Sequence, residues 1–474
     1  MAQRDDLRVE VSMQSGELLT EEPISDSAPA PSDLIYGLAD IPPLREAIFA
    51  AAQHVLACFI GIVAPSLIIG GALGLAPETT AYLVSMSLFV SGIATLIQVK
   101  RLGPIGSGLL SIQGTSFAFI GPIIATGSAA IATGTLPEQA LGVIFGLCFC
   151  GSFIEILLSR FLHFASRVMT PLVTGTVVSL IGLTLIKVGV TAIGGGVAAI
   201  EVGTFGSLQN LGLAALVLVT IVVLNSSGNV FLRMASIAIG LIVGYIVALF
   251  MGVVDLSHLG AASALSIPIP FRFGFGFSPA AFIPFALLFL ITTIESIGDL
   301  TATSAITGEP IQGKLYLRRI KGGVLGDGVN SLIAACFNTF PNTTFSQNNG
   351  VIQLTGVGSR YVGFFIAAFF MIAGLFPMVG GFIQAAPQPV LGGATLIMFG
   401  SVATAGIRIL ATITFTKRSA IILATSLGLG LGVVFAPDIV DQLPPLAKSI
   451  FSSGISTGGL CALLLNLLLP GERD

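Results

Sequence analysis

Gly106-Ser-Gly-Leu-Leu-Ser-Ile-Gln-Gly-Thr-Ser-Phe-Ala-Phe119 and Thr343-Thr-Phe-Ser-Gln-Asn-Asn-Gly-Val-Ile-Gln-Leu-Thr-Gly356 are the two stretches on which the reading of this chain turns. Both are too polar to lie against lipid, yet both sit in a succession of apolar runs. Each contains a hydroxyl pair followed by Phe, Thr115-Ser116-Phe117 in one and Thr343-Thr344-Phe345 in the other. Two runs further on, each has a second likeness: Pro171-Leu172 with Gly175, and Pro389-Val390 with Gly393. The offsets, 228 and 218 residues, are close to half of the 474-residue chain.

A helix needs about 20 residues to cross the hydrocarbon core. From Glu46 onward, candidate spans run over 46–69, 78–98, 106–126, 138–160, 168–190, 207–226, 234–252, 280–304, 321–340, 343–356, 359–376, 388–411, 419–435 and 449–470, fourteen in all. The two odd stretches are then third in each half of seven. An odd number of spans per half inverts the second half relative to the first, as in many secondary transporters. Paired interrupted spans at matching positions point to a ligand site near the bilayer midplane.

Composition agrees with a lipid solvent. Hydrophobic residues make up 54% of the chain and charged residues only 9%, with a mean hydropathy of +0.99. Soluble domains carry roughly 25% charged residues. With the N-terminus in the cytoplasm, seventeen of the twenty Lys and Arg residues fall on that side and only Lys187, Arg272 and Lys448 fall outside. That asymmetry is what the positive-inside rule expects. Residues 1–40 are polar and acidic and read as a flexible cytoplasmic tail. They show no basic segment leading into an apolar core, so the first span is expected to act as the targeting signal. The cysteines read as small buried hydrophobes, and the histidines are too scattered for a metal site. No phosphate-binding Gly-rich loop, zinc-protease helix or nucleophile elbow is present, which leaves an enzyme no catalytic constellation.

Ionisable groups inside spans are costly and usually functional. The eighth span carries Glu295 and Asp299, four residues apart and so on one helix face, with no cation within two turns. Two such carboxylates in low dielectric resist being ionised together, which suits proton coupling. The ninth span is expected to begin at Lys321 and carries Asp327; the bland reading of these acids is that they only tie helices together. In the tenth span, Gln347 offers a donor beside an acceptor, matching the paired N–H and C=O groups along the edge of a purine dione. Gly350 is expected to let an extended stretch turn into a helix whose N-terminus faces the ligand. Asn349 fits an interhelical bond better than a ligand contact. Gln53-His54 lies in the first span, where a lone His is structural about as often as functional.

Several of these segments together resemble the nucleobase–ascorbate transporter family. Gln347-Asn-Asn-Gly-Val-Ile-Gln-Leu-Thr355-Gly356 fits its signature, and Thr293-Ile-Glu295-Ser-Ile-Gly-Asp299 is similar to its eighth-span motif. Gly322-Gly-Val-Leu-Gly-Asp327-Gly, Gln53-His54 and Gln113-Gly-Thr-Ser-Phe117 also correspond, and 295–363 is close to bacterial xanthine and urate permeases. The resemblance implies an all-α polytopic fold of fourteen spans as a seven-plus-seven inverted repeat, with short strands in spans three and ten. It implies a core domain (41–165 with 279–377) and a gate domain (166–255 with 387–470). It implies that Glu295 and Gln347 bind the purine, with Phe117, Ser346 and Ser116 beside it, and that Asp299, Asp327, His54 and Asn348 are functionally important. It further implies proton symport without any other cofactor, homodimers, an elevator-like movement of core against gate, and no nucleic-acid partner.

The expected function is therefore proton-coupled uptake of xanthine or urate across the bacterial inner membrane, with both termini cytoplasmic. Ser116 stands where xanthine-selective relatives often carry Asn; the smaller side chain leaves room for the extra carbonyl of urate. Symport of another nucleobase (uracil, guanine or hypoxanthine) is one alternative, although uracil-type relatives have an acid in place of Gln347. An anion transporter of the same architecture is another, but it would want positive charge at the site, where Glu295 and Asp299 stand.

Overall fold

Hydrocarbon offers no water to satisfy backbone N–H and C=O groups, so apolar runs crossing it are expected to be helices. The computed structural model describes residues 34–162, 170–229, 232, 236–254, 265–310, 313–376, 386–411, 413–444, 447–448 and 451–470. Its principal helices are α1 (Leu44–Ala72), α2 (Pro77–Lys100), α3 (Ile120–Ala132), α4 (Pro137–Arg160), α5 (Pro171–Ile193), α6 (Leu208–Asn225) and α7 (Ser236–Phe250). They continue as α8 (Pro279–Ile306), α9 (Gly313–Cys336), α10 (Ser346–Thr355), α11 (Arg360–Leu375), α12 (Gln388–Leu410), α13 (Lys417–Phe435) and α14 (Gly454–Leu468). Strands β1 (Gln113–Thr115) and β2 (Asn342–Thr344) pair antiparallel.

Local chemistry sets the boundaries. Pro77, Pro137, Pro171 and Pro279 stand in the first turn of their helices, where a missing N–H leaves no bond unmade. The hydroxyls of Thr170, Ser207, Ser278, Thr416 and Ser453 accept from first-turn N–H groups of the helices that follow. Most boundaries lie within a few residues of the expected spans. The ninth is the exception, because α9 starts at Gly313 rather than near Lys321. Its first turns carry Lys314, Arg318, Arg319 and Lys321, too charged to count as membrane-spanning, and Arg319 pairs with Glu309 at 2.7 Å.

Among the described residues eight helices are long and apolar enough to cross a membrane: α1, α2, α4, α5, α6, α8, α12 and α13. α2 is the most enclosed of them, with 78% of its apolar window buried against 22% for α6. The packing resolves into two groups: α1, α2, α4, α8, α9 and α11 contact one another around the strands, and α5, α6, α7, α12, α13 and α14 do so separately. The main contacts within each group have counterparts seven helices away: α2 on α11 matches α9 on α4, and α6 on α7 matches α13 on α14. The α5–α12 pair matches itself. Its helices approach almost backbone to backbone, since a Cβ on Gly182 would lie 2.2 Å from the Ala403 nitrogen. Small residues permit this in a lipid-embedded bundle, where close van der Waals packing replaces the hydrophobic drive.

The N-terminal stretch read as a tail divides at the first described residue. Residues 1–33 lie outside the described part, whereas 34–40 are tied down. Ile35 and Tyr36 N–H groups donate to the Gly356 carbonyl, the Gly358 N–H donates to Tyr36 O, and Tyr36 Oη donates to Glu46 at 2.6 Å. The segment thereby braces the end of α10.

Candidate functional site

The site grows from the strand crossing. Gln113 pairs with Thr344, Gly114 with Thr343 and Thr115 with Asn342, and the ladder extends through Ser116 N–H to Pro341 O and Phe345 N–H to Ile112 O. Only glycine fits at 114, because a Cβ there would lie 2.5 Å from the Phe345 ring and 2.7 Å from Ile62. Directly after each strand the chain turns helical: a 3-10 turn over Phe117–Phe119 leads into α3, and Ser346 starts α10. Two helix beginnings with unbonded N–H groups thus flank the crossing. The turn into α10 falls at Phe345, which is still extended, and not at Gly350. Gly350 lies inside the helix with open space around it. It is the end of the ladder at Thr344 that releases the backbone from extended pairing. At the far end of α10, Gly356 adopts φ +67°, the left-handed cap that ends many helices.

α8 lays its acidic face on α10. Ser346 Oγ donates to Asp299 Oδ1 at 2.5 Å, Thr303 Oγ1 donates to Asn349 Oδ1 at 2.6 Å, and Asn349 Nδ2 donates to the Asp299 carbonyl at 3.4 Å. Asn349 is thus an interhelical tie. Glu295 lies one turn before Asp299, is 9% exposed and has its Oε2 buried without a hydrogen bond. Gln347, the residue after Ser346, is half-buried. Asn348 points the other way, its Nδ2 donating to Leu110 O at 2.5 Å.

Asp327 on α9 sits behind this face in a cage of donors. Gln98 Nε2 donates to Oδ1 at 2.5 Å, and the hydroxyls of Ser296 and Thr344 donate to Oδ2. Thr344 in turn accepts from Gln113 Nε2 at 2.9 Å, leaving its own hydrogen for Asp327. One carboxylate therefore joins α2, α8, α9 and both strands. Its role here is to hold the crossing together.

His54 is wholly buried beside Asn348, with neither ring nitrogen in a hydrogen bond of good geometry. Ser116 is 2% exposed and its hydroxyl has no protein partner. Phe117 and Phe345, equivalent by sequence, part company in space. Phe345 is buried against Gly114, while Phe117 is half-buried and meets Phe399 of α12 edge to face, ring centroids 5.2 Å apart. Of the two, Phe117 is the one placed between the helix groups. The nine residues singled out from sequence thus all lie at the two helix beginnings that follow the strands and on α1, α8 and α9 packed around them.

Two further residues escaped the sequence reading. Gln98, at the end of α2, clamps Asp327, Gly323 O and Ser107 N–H. Glu155, on α4, is 1% exposed and faces Glu295 and Asp327. An acid in the apolar run Phe153-Ile-Glu155-Ile-Leu-Leu158 is the signal that could have found it. Among the described residues no Lys or Arg pairs with Glu155, Glu295, Asp299 or Asp327. The site is a wall of carboxyl, hydroxyl and amide groups that, among the described residues, offers an inorganic anion no paired cation.

A family model described as the Permease family matches residues 45–439. Xanthine permease XanP of Escherichia coli strain K12 is 49% identical over 444 residues, covering 94% of this chain and 96% of its own length. Xanthine permease XanQ of the same strain is 48% identical over 448 residues, with the same two coverages, 94% and 96%. Among solved structures, the transmembrane domain of a cyanobacterium bicarbonate transporter, BicA, matches with a TM-score of 0.58 at 15% identity, covering 88% of this chain and 100% of that one. That likeness is one of fold alone.

Proposed function

This chain belongs to the nucleobase–ascorbate transporter family, an integral membrane permease and not an enzyme, and on that premise we propose that it takes up xanthine and urate together with a proton. The observation that carries the reading is the Ser346–Asp299 hydrogen bond, which seats the start of α10 on the acidic face of α8. Glu295 and Gln347 each stand within one turn of that contact. In this reading Gln347 makes two parallel bonds to the purine edge, Glu295 accepts a ring N–H, backbone groups at Phe117 and Ser346 complete the contacts, and Phe117 stacks on the ring. Ser116 leaves room for the additional carbonyl of urate.

The coupling proton is carried by the buried acids. Asp299 and Asp327 transmit its presence to the half-helices, with His54 and Asn348 supporting α10 from the other side. The fourteen helices form two inverted repeats of seven in the inner membrane, both termini cytoplasmic. The α1–α4 and α8–α11 group is the core and the α5–α7 and α12–α14 group is the gate; the core slides against the gate of a homodimer to alternate access. The exchangeable packing pairs and the weak contacts between the two groups support this arrangement.

Uptake of radiolabelled xanthine and urate into cells lacking their own permeases, with and without a protonophore, tests the proposal. Saturable uptake of xanthine, competed by excess urate and collapsed by the protonophore, is expected. Uptake of neither purine would overturn the substrate assignment; protonophore-insensitive accumulation would overturn the coupling.

A further inference from the structure

We propose that Glu155 is a proton-binding residue of the transport cycle, a second acidic site in the seam between α4, α8 and α9, set back from the purine-contacting Glu295. The proposal rests on the proton-coupled reading given above.

The seam holds the residue rigidly. A Cβ on Gly328, next to Asp327 on α9, would lie 2.8 Å from Ile156 N and 3.3 Å from the Glu155 carbonyl carbon, so the two backbones touch at the acid. One turn earlier, a Cβ on Gly151 would lie 2.3 Å from the Phe289 ring of α8. Glu155 therefore cannot swing out to solvent without parting three helices.

Among the described residues the side chain that meets it is the hydroxyl of Thr293 on α8. Both carboxyl oxygens are buried without a hydrogen bond of good geometry. The hydroxyl facing it, on Thr293, already donates to Phe289 O at 2.7 Å. The titratable groups facing it are Asp327 from α9 and Glu295 from α8. α3, also packed on α4, has none in its sequence. On α4 itself Arg160 lies at the exposed C-terminal end, and Arg272, from the segment crossing the opposite end, is stacked on Tyr82 at 4.3 Å. A buried carboxylate with two acidic neighbours, and with only a hydroxyl already committed to a backbone carbonyl beside it, is costlier than the neutral acid. Asp327 differs, since three side chains donate to it. In the conformation described, Glu155 accordingly holds its proton.

The same geometry gives the proton a consequence and an exit. Loss of the proton would place a bare charge beside Asp327, whose partners Ser296 and Thr344 adjoin Glu295 and the strand leading into α10. Relief comes by opening the α4–α9 seam. Glu155 is five residues from the Arg160 end of α4, about 8 Å along the axis, which the charge asymmetry puts on the cytoplasmic side. The step is a simple dissociation, the carboxylic O–H breaking to leave a carboxylate and deliver H⁺ to cytoplasmic water.

Purified full-length protein in liposomes separates coupling from transport. Glu155→Gln is expected to keep gradient-free xanthine counterflow within about 3-fold of the parent while losing about 10-fold or more of accumulation driven by an imposed pH gradient. Its counterflow should also lose the pH dependence of the parent, and Glu155→Asp should recover part of both. Parent-like accumulation and pH profile in Glu155→Gln would overturn the assignment. So would parallel loss of counterflow and accumulation in both variants, which would mark a packing role. Should Glu155→Gln fail to reach the membrane, dicyclohexylcarbodiimide, which modifies protonated buried carboxyls, is applied to the parent. A Glu155 adduct declining as pH rises supports the proposal, and its absence at every pH refutes it. A parent indifferent to the pH gradient would sink the coupled-transport reading itself, and this assignment with it.

Discussion

Glu295 and Gln347 stand on different helices, each within a turn of the Ser346–Asp299 bond that joins those helices. Removing either should leave the fold intact, since neither makes a hydrogen bond that ties helices together. Glu295→Gln and Gln347→Ala are each expected to lower xanthine uptake by about 10- to 100-fold, the effect of one unsatisfied polar group in a dry site. Membrane abundance measured by immunoblot should stay unchanged. Ser116 poses the specificity question, because its hydroxyl is buried and has no protein partner. Ser116→Asn is expected to keep xanthine uptake and abolish its inhibition by excess urate; retained inhibition would show that the space beside residue 116 is not what admits urate. The acids of α8 and α9 were legible as residues, since charge inside an apolar span is rarely idle. Glu155 carried the same signal, but only packing shows that a residue five positions from a helix end is fully enclosed.

The strand crossing is the element on which the site depends, and Gly114 is where it is tightest. Gly114→Ala puts a methyl 2.5 Å from the Phe345 ring. It should destabilise the protein by about 1–3 kcal/mol, read as a lowered melting temperature in detergent. Gly121→Ala, next to open space on α3, serves as the control and should be neutral. The two odd stretches were recognisable at this scale because each breaks an apolar run with hydroxyls and amides. Their pairing partner was not, since a three-residue ladder has no periodicity to read. The expectation for Gly350 failed for a related reason: a glycine in a polar stretch marks freedom, but the end of the ladder determines where that freedom is used. Likewise, the start of α9 was misplaced because its charged first turns look like loop when judged by hydropathy alone.

For the molecule as a whole, the proposed movement of one helix group against the other makes a direct prediction. Ala64 of α1 packs against Leu241 of α7 across the boundary between the groups. In a background with the five native cysteines replaced, Ala64→Cys with Leu241→Cys should transport when reduced, stop when bridged by an oxidant or a bifunctional thiol reagent, and recover on reduction where the bridge is a disulfide. Undiminished uptake by the bridged protein would rule out sliding at this boundary.

What the amino-acid sequence determined alone was the solvent, the succession of apolar helices and the polar residues that interrupt them, because lipid admits few side chains and few backbone states. It also placed Glu295 and Asp299 on one face, a property of helical periodicity. Only the tertiary structure decided which polar groups meet: that three side chains donate to Asp327 while Glu155 faces two acids and a hydroxyl committed elsewhere, and that Phe117 faces α12 while Phe345 is buried. Those outcomes depend on contacts between residues as far as 282 positions apart, as Phe117 and Phe399 are, and distance along the chain carries no record of them.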